Sequence, residues 1–147
     1  MDSPVSVVPA GLRDLPAVVA LERAAFGRDA WGWLDIFFAL TGPAVRLKAV
    51  ADGRLVGFVM GDPRPREGFA WIATIGVFPA YRRRGIGAQL LAAVEERLTL
   101  PHLKLTVRQS NAGAIALYRR FGYRDVTVWE RYYAGGEAGL VMEKVRA

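Results

Sequence analysis

The residues best suited to chemistry lie between a strongly apolar run and an amphipathic one, in the stretch V-F-P-A-Y-R-R-R-G-I-G-A over 77–88. The first amides of a helix have no partner inside it, and the helix dipole favours an anion beside them. Guanidinium groups bind phosphate oxygens in pairs, and glycines let a backbone turn and approach a ligand closely. The stretch therefore predicts a diphosphate-binding turn at a helix N-terminus. The alternative is a solvated basic turn whose glycines serve packing.

Two familiar phosphate-binding motifs do not describe this stretch. A P-loop requires a lysine followed by serine or threonine after its glycines, and Gly87 is followed by Ala88 and Gln89. A dinucleotide-binding fold requires three glycines after its first strand and an acidic residue at the end of the next strand. The sequence shows neither feature, so the stretch is neither a P-loop nor a dinucleotide-binding motif.

The elements that must position this turn follow from hydrophobic periodicity. Helices are predicted over 15–26, 30–40, 85–98 and 111–121, and 61–68 reads as a loop. Strands are predicted over 5–8, 45–51, 55–60, 69–78, 103–107, 126–128 and 140–145, with 69–78 buried on both faces. The order β-α-α-β-β-β-α-β-α-β-β indicates an α/β protein. Its mixed, mostly antiparallel central sheet would have flanking helices and contain a parallel strand pair.

Composition limits the class of protein. The 147 residues are 52% apolar and 23% charged, as in one folded domain, here residues 1–147, with no internal repeat. The absence of cysteine excludes a disulfide scaffold, a thiolate zinc site and a cysteine nucleophile, and no metal site is predicted. The N-terminus does not resemble a signal peptide, and no apolar run reaches the length of a membrane span. We therefore expect a cytoplasmic protein with no membrane partner.

The net charge of +6 rests largely on arginine, which accounts for 17 of the 20 basic residues. Such a charge could serve nucleic acid, but the sequence shows no helix-turn-helix, zinc or base-stacking motif. Phosphates on a small ligand explain the clustering at 82–84 better. No nucleic-acid partner is predicted.

Two motifs together resemble one family. Arg82-x-x-Gly85-x-Gly87 is similar to the acyl-CoA pyrophosphate loop of the GCN5-related N-acetyltransferases. The family's second motif is a strand, an Asn, then Ala-x-x-Leu-Tyr-x-x-x-Gly-[Phe/Tyr]; it is matched by Asn111, Ala114, Leu117, Tyr118, Gly122 and Tyr123. A finer resemblance, to the ribosomal-protein alanine N-acetyltransferase branch, rests on Val107-Arg108-x-Ser110-Asn111, Arg131-Tyr132-Tyr133 and Leu140-x-Met142. The resemblance implies an acyl-CoA N-acyltransferase fold with a splayed parallel strand pair, and acetyl-CoA as co-substrate.

The resemblance also implies residue roles. Backbone groups of Ile75, Gly76 and Val77 would bind the pantetheine arm, and Asn111 would contact that arm or order a water. Tyr118 would bind the cofactor and protonate the departing thiolate as a general acid. Its spacing alone would fit a core tyrosine on an amphipathic helix. The residues implied for the pyrophosphate are Arg82, Arg83, Arg84, Gly85, Ile86, Gly87 and Ala88.

The general base is not identified by the sequence. Thr106 and Trp71 stand where the branch or its wider family carries a carboxylate. The remaining candidates are a water relay through backbone carbonyls or one of Glu67, Glu130, Glu137 and His102, the last expected on a surface loop. An α-amino group, with a pKa of ~7.7–8.0 against ~10.4 for lysine, needs less help to lose its proton. This difference favours an N-terminal amine, or another amine of low pKa, as the acceptor.

The acceptor is expected to meet the aromatic residues Trp31, Tyr132 and Tyr133, whereas Phe37 and Phe38 are expected in the core. Asp29 and Asp35 would attract a cationic amine or simply face water. The leading hypothesis is direct attack of a primary amine on acetyl-CoA, in a monomer or homodimer. The alternatives are a small-molecule amine acetyltransferase (polyamine, aminoglycoside or amino acid) and a non-catalytic acyl-CoA-binding protein.

Overall fold

The protein is a mixed α/β structure built on one seven-stranded sheet. The structure is a computed structural model that describes residues 4–146, with the backbone alone for Ala134. The strands are β1 (Ser6–Pro9), β2 (Val45–Ala51), β3 (Arg54–Arg64), β4 (Phe69–Val77), β5 (His102–Arg108), β6 (Arg124–Trp129) and β7 (Gly139–Val145). The helices are α1 (Leu15–Phe26), α2 (Trp33–Thr41), α3 (Ile86–Arg97) and α4 (Ala112–Arg120).

The sheet has the order β1-β2-β3-β4-β5-β7-β6. Strands β4 and β5 are parallel, and their register runs from the Phe69–His102 pair to the Trp71–Lys104 pair, at the start of each strand. The β1–β2, β2–β3, β5–β7 and β6–β7 pairs are antiparallel. The predicted fold class and order of elements are confirmed.

The chain divides into two compact units, and β4 passes from one to the other. The first contains residues 4–62 and 74–99, and the second contains 63–73 and 100–146. Because each unit is made of two separate stretches of chain, neither could be cut out as a single piece. That residues 1–147 form one domain stays a prediction.

In the first unit, α3 buries the predicted apolar stripe, with Ile86, Leu90, Leu91 and Val94 at most 1% exposed. The Asp52-Gly53 hairpin between β2 and β3 has both residues in the left-handed region, at φ 54° and 73°, as a two-residue type I′ turn requires. Helix α1 begins with a proline in its first turn and ends at Gly27, as its sequence predicts.

In the second unit, Leu103, Leu105 and Val107 of β5 are buried, and the strand pairs along its whole length with β7. Strand β6, whose residues are all exposed, pairs with β7 at the edge of the sheet. The loop between β6 and β7 therefore emerges beside the C-terminal end of β5, where the Trp129–Gly139 and Arg108–Gly139 pairs meet.

Four predictions about these elements were wrong. Helix α2 begins at Trp33 and not at residue 30, because Ala30 and Gly32 are extended (ψ 140° and 160°). Strand β3 continues past 60 through Arg64, because Gly61 still pairs with Val45; the turn itself lies at 64–68.

Strand β4 is not buried on both faces, since buried and half-buried residues alternate along it from Phe69 to Ile75. Phe38 is not in the core: it is 62% exposed, because α2 turns Ile36 and Leu40 inward and Phe38 lies between them on the opposite side. Phe37 is half-buried. No described helix has the length and apolar character needed to cross a membrane.

Candidate active site

The turn between β4 and α3 has the backbone of an anion-binding loop. Arg83 and Gly85 adopt left-handed conformations, at φ 64° and 75°. The first α-helical hydrogen bond is donated by the Gln89 amide to the Gly85 carbonyl, 3.1 Å away. The amides of residues 86–88 precede that bond and lie at the positive end of the α3 dipole. This backbone is compatible with a bound phosphate group, and phosphate binding at the turn stays a prediction.

The arginines of this turn are exposed, and one of them is held in place. The Arg84 guanidinium lies over the Tyr81 ring, 5.0 Å from its centroid. The Tyr81 hydroxyl in turn donates a hydrogen bond to Asp52 Oδ2, 3.3 Å away on the β2–β3 hairpin. The hairpin therefore holds Tyr81 in place, and Tyr81 in turn partly preorganises the Arg84 side chain. Arg82 and Arg83 extend to solvent.

The predicted pantetheine-binding residues form the C-terminal end of β4, and Ile75, Gly76 and Val77 are half-buried there. A methyl group on Gly76 would lie 3.1 Å from the Phe26 ring, so α1 packs directly against this part of the strand. All the residues predicted for the pantetheine and pyrophosphate, except Asn111 and Tyr118, therefore belong to the first unit.

Helix α4, in the second unit, carries the predicted acid. Tyr118 is 6% exposed, and its ring packs edge-on against Tyr123, with centroids 6.0 Å apart. Burial, with a smaller contribution from Tyr133, raises the pKa of the Tyr118 phenol above its ordinary value. The phenol therefore keeps its proton at neutral pH, as a proton donor must.

Asn111 has a structural role that the sequence analysis did not predict. Its Oδ1 accepts a hydrogen bond from the Ala114 amide, 3.2 Å away, and so caps the N-terminus of α4. Its contact with the pantetheine arm stays a prediction.

Five aromatic rings form a continuous row in the second unit, which contains two of the three predicted acceptor residues. Neighbouring ring centroids along the row are 4.9–6.1 Å apart. Tyr132 is 52% exposed, and Tyr133 is half-buried. In order, the row is Phe69, Trp71, Trp129, Tyr132 and Tyr133. Trp31, the third predicted acceptor residue, is half-buried in the first unit.

The position that lacks the expected carboxylate lies beside this row. A methyl group on Gly139 would be 2.8 Å from Thr106 Cγ2 and 3.1 Å from Tyr132 Cδ2. Thr106 therefore borders the same small space as Tyr132. The other substituted position, Trp71, is itself a member of the aromatic row.

The candidate bases differ in their exposure and in their hydrogen-bond partners. Glu67 and Glu130 are exposed. His102 does not lie in a loop as expected: it begins β5, and its Nδ1 is 2.9 Å from Glu143 Oε1. Both carboxylate oxygens of Glu137 accept hydrogen bonds, from Arg108 Nη1 and from the Ser110 amide. These partners, Ser110 above all, lower the pKa of Glu137, which makes it a poor proton acceptor.

Sequence analysis missed a buried carboxyl group, Glu22, which is 3% exposed on α1. Its Oε1 accepts a hydrogen bond from the Thr74 hydroxyl at 2.9 Å, and the side chain also accepts one from the Trp31 amide. Burial raises the pKa of Glu22 despite these bonds. Its position four residues after the buried Val18 was the signal, because it places the carboxyl on the apolar face of the helix.

Comparison with known proteins identifies the class. The chain matches the acetyltransferase (GNAT) family over residues 15–123 and belongs to that family. Family membership confirms the predicted enzyme class, an N-acetyltransferase with acetyl-CoA as co-substrate.

The names of similar proteins describe a narrower activity than the family name does. The chain is 35% identical to a [ribosomal protein bS18]-alanine N-acetyltransferase from Salmonella typhimurium, over 88% of this chain and 89% of the relative. It is 31% identical to an N-alpha-acetyltransferase from Sulfurisphaera tokodaii, over 90% and 88% of the two chains. The crystal structure of the ribosomal-protein-S18-alanine N-acetyltransferase from Escherichia coli is similar, with a TM-score of 0.86, 26% identity and coverage of 98% and 96%. The resemblance to this branch is confirmed.

Proposed function

We propose that the protein acetylates the α-amino group of a protein N-terminus, using acetyl-CoA. The observation that carries the proposal is the similarity, over about nine-tenths of the chain, to enzymes named for N-terminal or ribosomal-protein alanine acetylation. A cytoplasmic location follows from the proposal, because acetyl-CoA and ribosomal proteins occur together in that compartment.

The proposal assigns the acetyl-CoA pyrophosphate to residues 82–88. The amides at the start of α3 and the three guanidinium groups supply the positive potential that a diphosphate requires. The pantetheine arm is assigned to the backbone of Ile75–Val77 and to Asn111. These assignments are supported by the left-handed conformations of Arg83 and Gly85, which are of the kind found in anion-binding turns.

In the proposed reaction the neutral acceptor nitrogen attacks the thioester carbonyl carbon and forms a C–N bond. The tetrahedral intermediate collapses, the C–S bond breaks, and the electron pair leaves with sulfur. Tyr118 donates its phenolic proton to that sulfur, and the proton lost by the amine nitrogen restores the phenol through solvent. The raised pKa of Tyr118 supports this role, because the phenol is protonated when the thiolate forms.

An α-amine explains how the enzyme could work without a carboxylate at Thr106. At pH 7.5 about a third of an α-amine with a pKa near 7.8 is neutral, against roughly 0.1% of a lysine with a pKa near 10.4. The neutral fraction therefore differs by about 250-fold before the protein contributes anything. The exposed Tyr132 and half-buried Tyr133 would contact the acceptor, as would Trp31.

The test is thiol release from acetyl-CoA with a panel of acceptors. Peptides that begin with Ala, Ser or Met should react. The same peptides with a blocked N-terminus and one internal lysine should react at least about 50-fold more slowly. Faster lysine acetylation, or acetylation of a polyamine or free amino acid but no peptide, would overturn the proposal. Binding of acetyl-CoA with no turnover on any amine would favour a non-catalytic protein.

A further inference from the structure

The loop 130–138, between β6 and β7, is closed by its own backbone and fastened to a neighbouring turn. The Tyr133 amide donates to the Glu137 carbonyl at 3.0 Å, and the Gly136 amide donates to the Tyr133 carbonyl at 3.1 Å. The Gln109 amide, just after β5, donates to the Ala138 carbonyl at 3.2 Å. Tyr132 and Tyr133 are therefore held on a short closed loop whose base is attached to residues 108–111.

The Glu137 side chain makes the strongest of these attachments. Its Oε1 accepts from Arg108 Nη1 at 2.6 Å, and its Oε2 accepts from the Ser110 amide at 2.7 Å. Both distances are short, as expected for charge-assisted hydrogen bonds. One carboxylate thus joins the loop to both ends of the turn that leads into Asn111 and α4.

The same guanidinium also meets an acceptor residue. Arg108 lies over the Tyr133 ring, 5.0 Å from its centroid. Its side chain is 28% exposed and that of Glu137 is 27% exposed, so the pair is partly shielded from water. Loss of the carboxylate would remove one of the partners that hold the guanidinium over the Tyr133 ring.

We propose that Glu137 is a positioning residue for the acceptor, which fixes the loop bearing Tyr132 and Tyr133 against the turn Arg108–Asn111. The proposal rests on the proposed function for the identity of the acceptor. It differs from a role as general base, which would need one carboxylate oxygen to accept the proton of the amine. In this structure both oxygens accept hydrogen bonds from the protein itself.

The test is steady-state kinetics on Glu137→Gln, which keeps the shape of the side chain but accepts hydrogen bonds at only one oxygen. The NH₂ group that replaces the second oxygen is a hydrogen-bond donor. One charge-assisted hydrogen bond is therefore lost, and two donors face each other in its place. We expect the KM for the peptide acceptor to rise about 10-fold or more. The kcat should stay within about threefold, and the KM for acetyl-CoA should not change.

A matched control is available on strands β5 and β7. Glu143 of β7 pairs with His102 of β5 at the other end of the ladder, and its side chain is 26% exposed. Glu143→Gln should leave all three kinetic constants unchanged. Glu137→Asp, which keeps the charge on a shorter side chain, should recover part of the acceptor affinity. Amide hydrogen exchange over 130–138 should be faster in Glu137→Gln than in either the wild type or Glu143→Gln.

A kcat loss of 100-fold or more at unchanged acceptor KM would overturn the proposal and make Glu137 the base. Unchanged kinetics with unchanged hydrogen exchange would also overturn it, as would an equal effect of Glu143→Gln. Failure of the proposed function looks different: the wild type would then prefer a small amine over every peptide, and the KM for that amine would report on Glu137 in the same way. If Glu137→Gln does not fold, Glu137→Asp replaces it, with a smaller rise in the KM for the acceptor as the expected result and an unchanged KM as the result that overturns the proposal.

Discussion

The replacement of Tyr118 by phenylalanine tests the chemistry most directly. The ring is 6% exposed and packs edge-on against Tyr123, and phenylalanine keeps both features. Only the hydroxyl is lost, which should change the free energy of unfolding by no more than about 1.5 kcal/mol. The loss of a general acid should instead reduce the rate by about 10²–10⁴-fold, or about 3–5.5 kcal/mol of activation free energy.

The assay is single-turnover acetylation of an Ala-initiated peptide, because slow product release could otherwise hide the chemical step. Tyr123→Phe is the matched control: Tyr123 is 2% exposed and touches the same ring, so its hydroxyl loss should leave the rate within about twofold. Since the pKa of Tyr118 is raised, its deprotonation should not lower the wild-type rate between pH 7 and 9.5. A Tyr118→Phe rate within threefold of wild type, in folded protein, would refute the assignment.

Three further predictions concern backbone and buried charge. Gly85→Ala meets no atom within 4 Å but must hold φ 75°, so urea denaturation should show a loss of about 1–2 kcal/mol; no loss would contradict the left-handed turn. Asn111→Ala should cost about 1 kcal/mol of stability through the lost cap, whereas Asn111→Ser should keep the cap. Weaker coenzyme A binding by the serine variant in calorimetry would then report a direct contact, and unchanged binding by both variants would exclude one. Glu22 has a raised pKa, so the folded state binds more protons, and the free energy of unfolding should fall as pH rises above about 4.5. Relative to Glu22→Gln, the wild type should thus lose stability between pH 4.5 and 7.5, and a relative gain would show that the carboxylate is stabilised.

Local patterns were enough to predict the framework around the turn between β4 and α3. The apolar stripe of α3 is a 3.6-residue repeat, and the Asp52-Gly53 turn depends on two neighbouring residues. Tyr118 was also proposed from a local pattern, because most of the motif around it lies on one short helix. In each case the interactions that decide the structure connect residues close together in the chain.

The environment of the side chains could not be predicted from local patterns, because it depends on residues that are far apart in the chain. The Thr74–Glu22 hydrogen bond joins residues 52 positions apart, and the Arg108–Glu137 pair spans 29 positions. Glu137 is a plausible base in the sequence and ceases to be one only when its two partners are seen. Phe38 is apolar in a helix of apolar residues, and only its angular position relative to Ile36 and Leu40 exposes it.

The close packing of α3 against strand β3 limits which glycines of that strand can be replaced. Alanine at Gly57 would bring its methyl carbon 2.9 Å from Leu90 Cδ1, and at Gly61 2.8 Å from Leu98 Cδ1. Exchange of glycine for alanine is a common route to thermostability, since it reduces the entropy of the unfolded chain. At these two sites the added methyl would crowd the leucine side chains that pack α3 and the residue after it against strand β3. A stabilisation campaign guided by backbone angles alone would thus select two substitutions that disturb the packing of the helix whose N-terminus is proposed to bind the diphosphate.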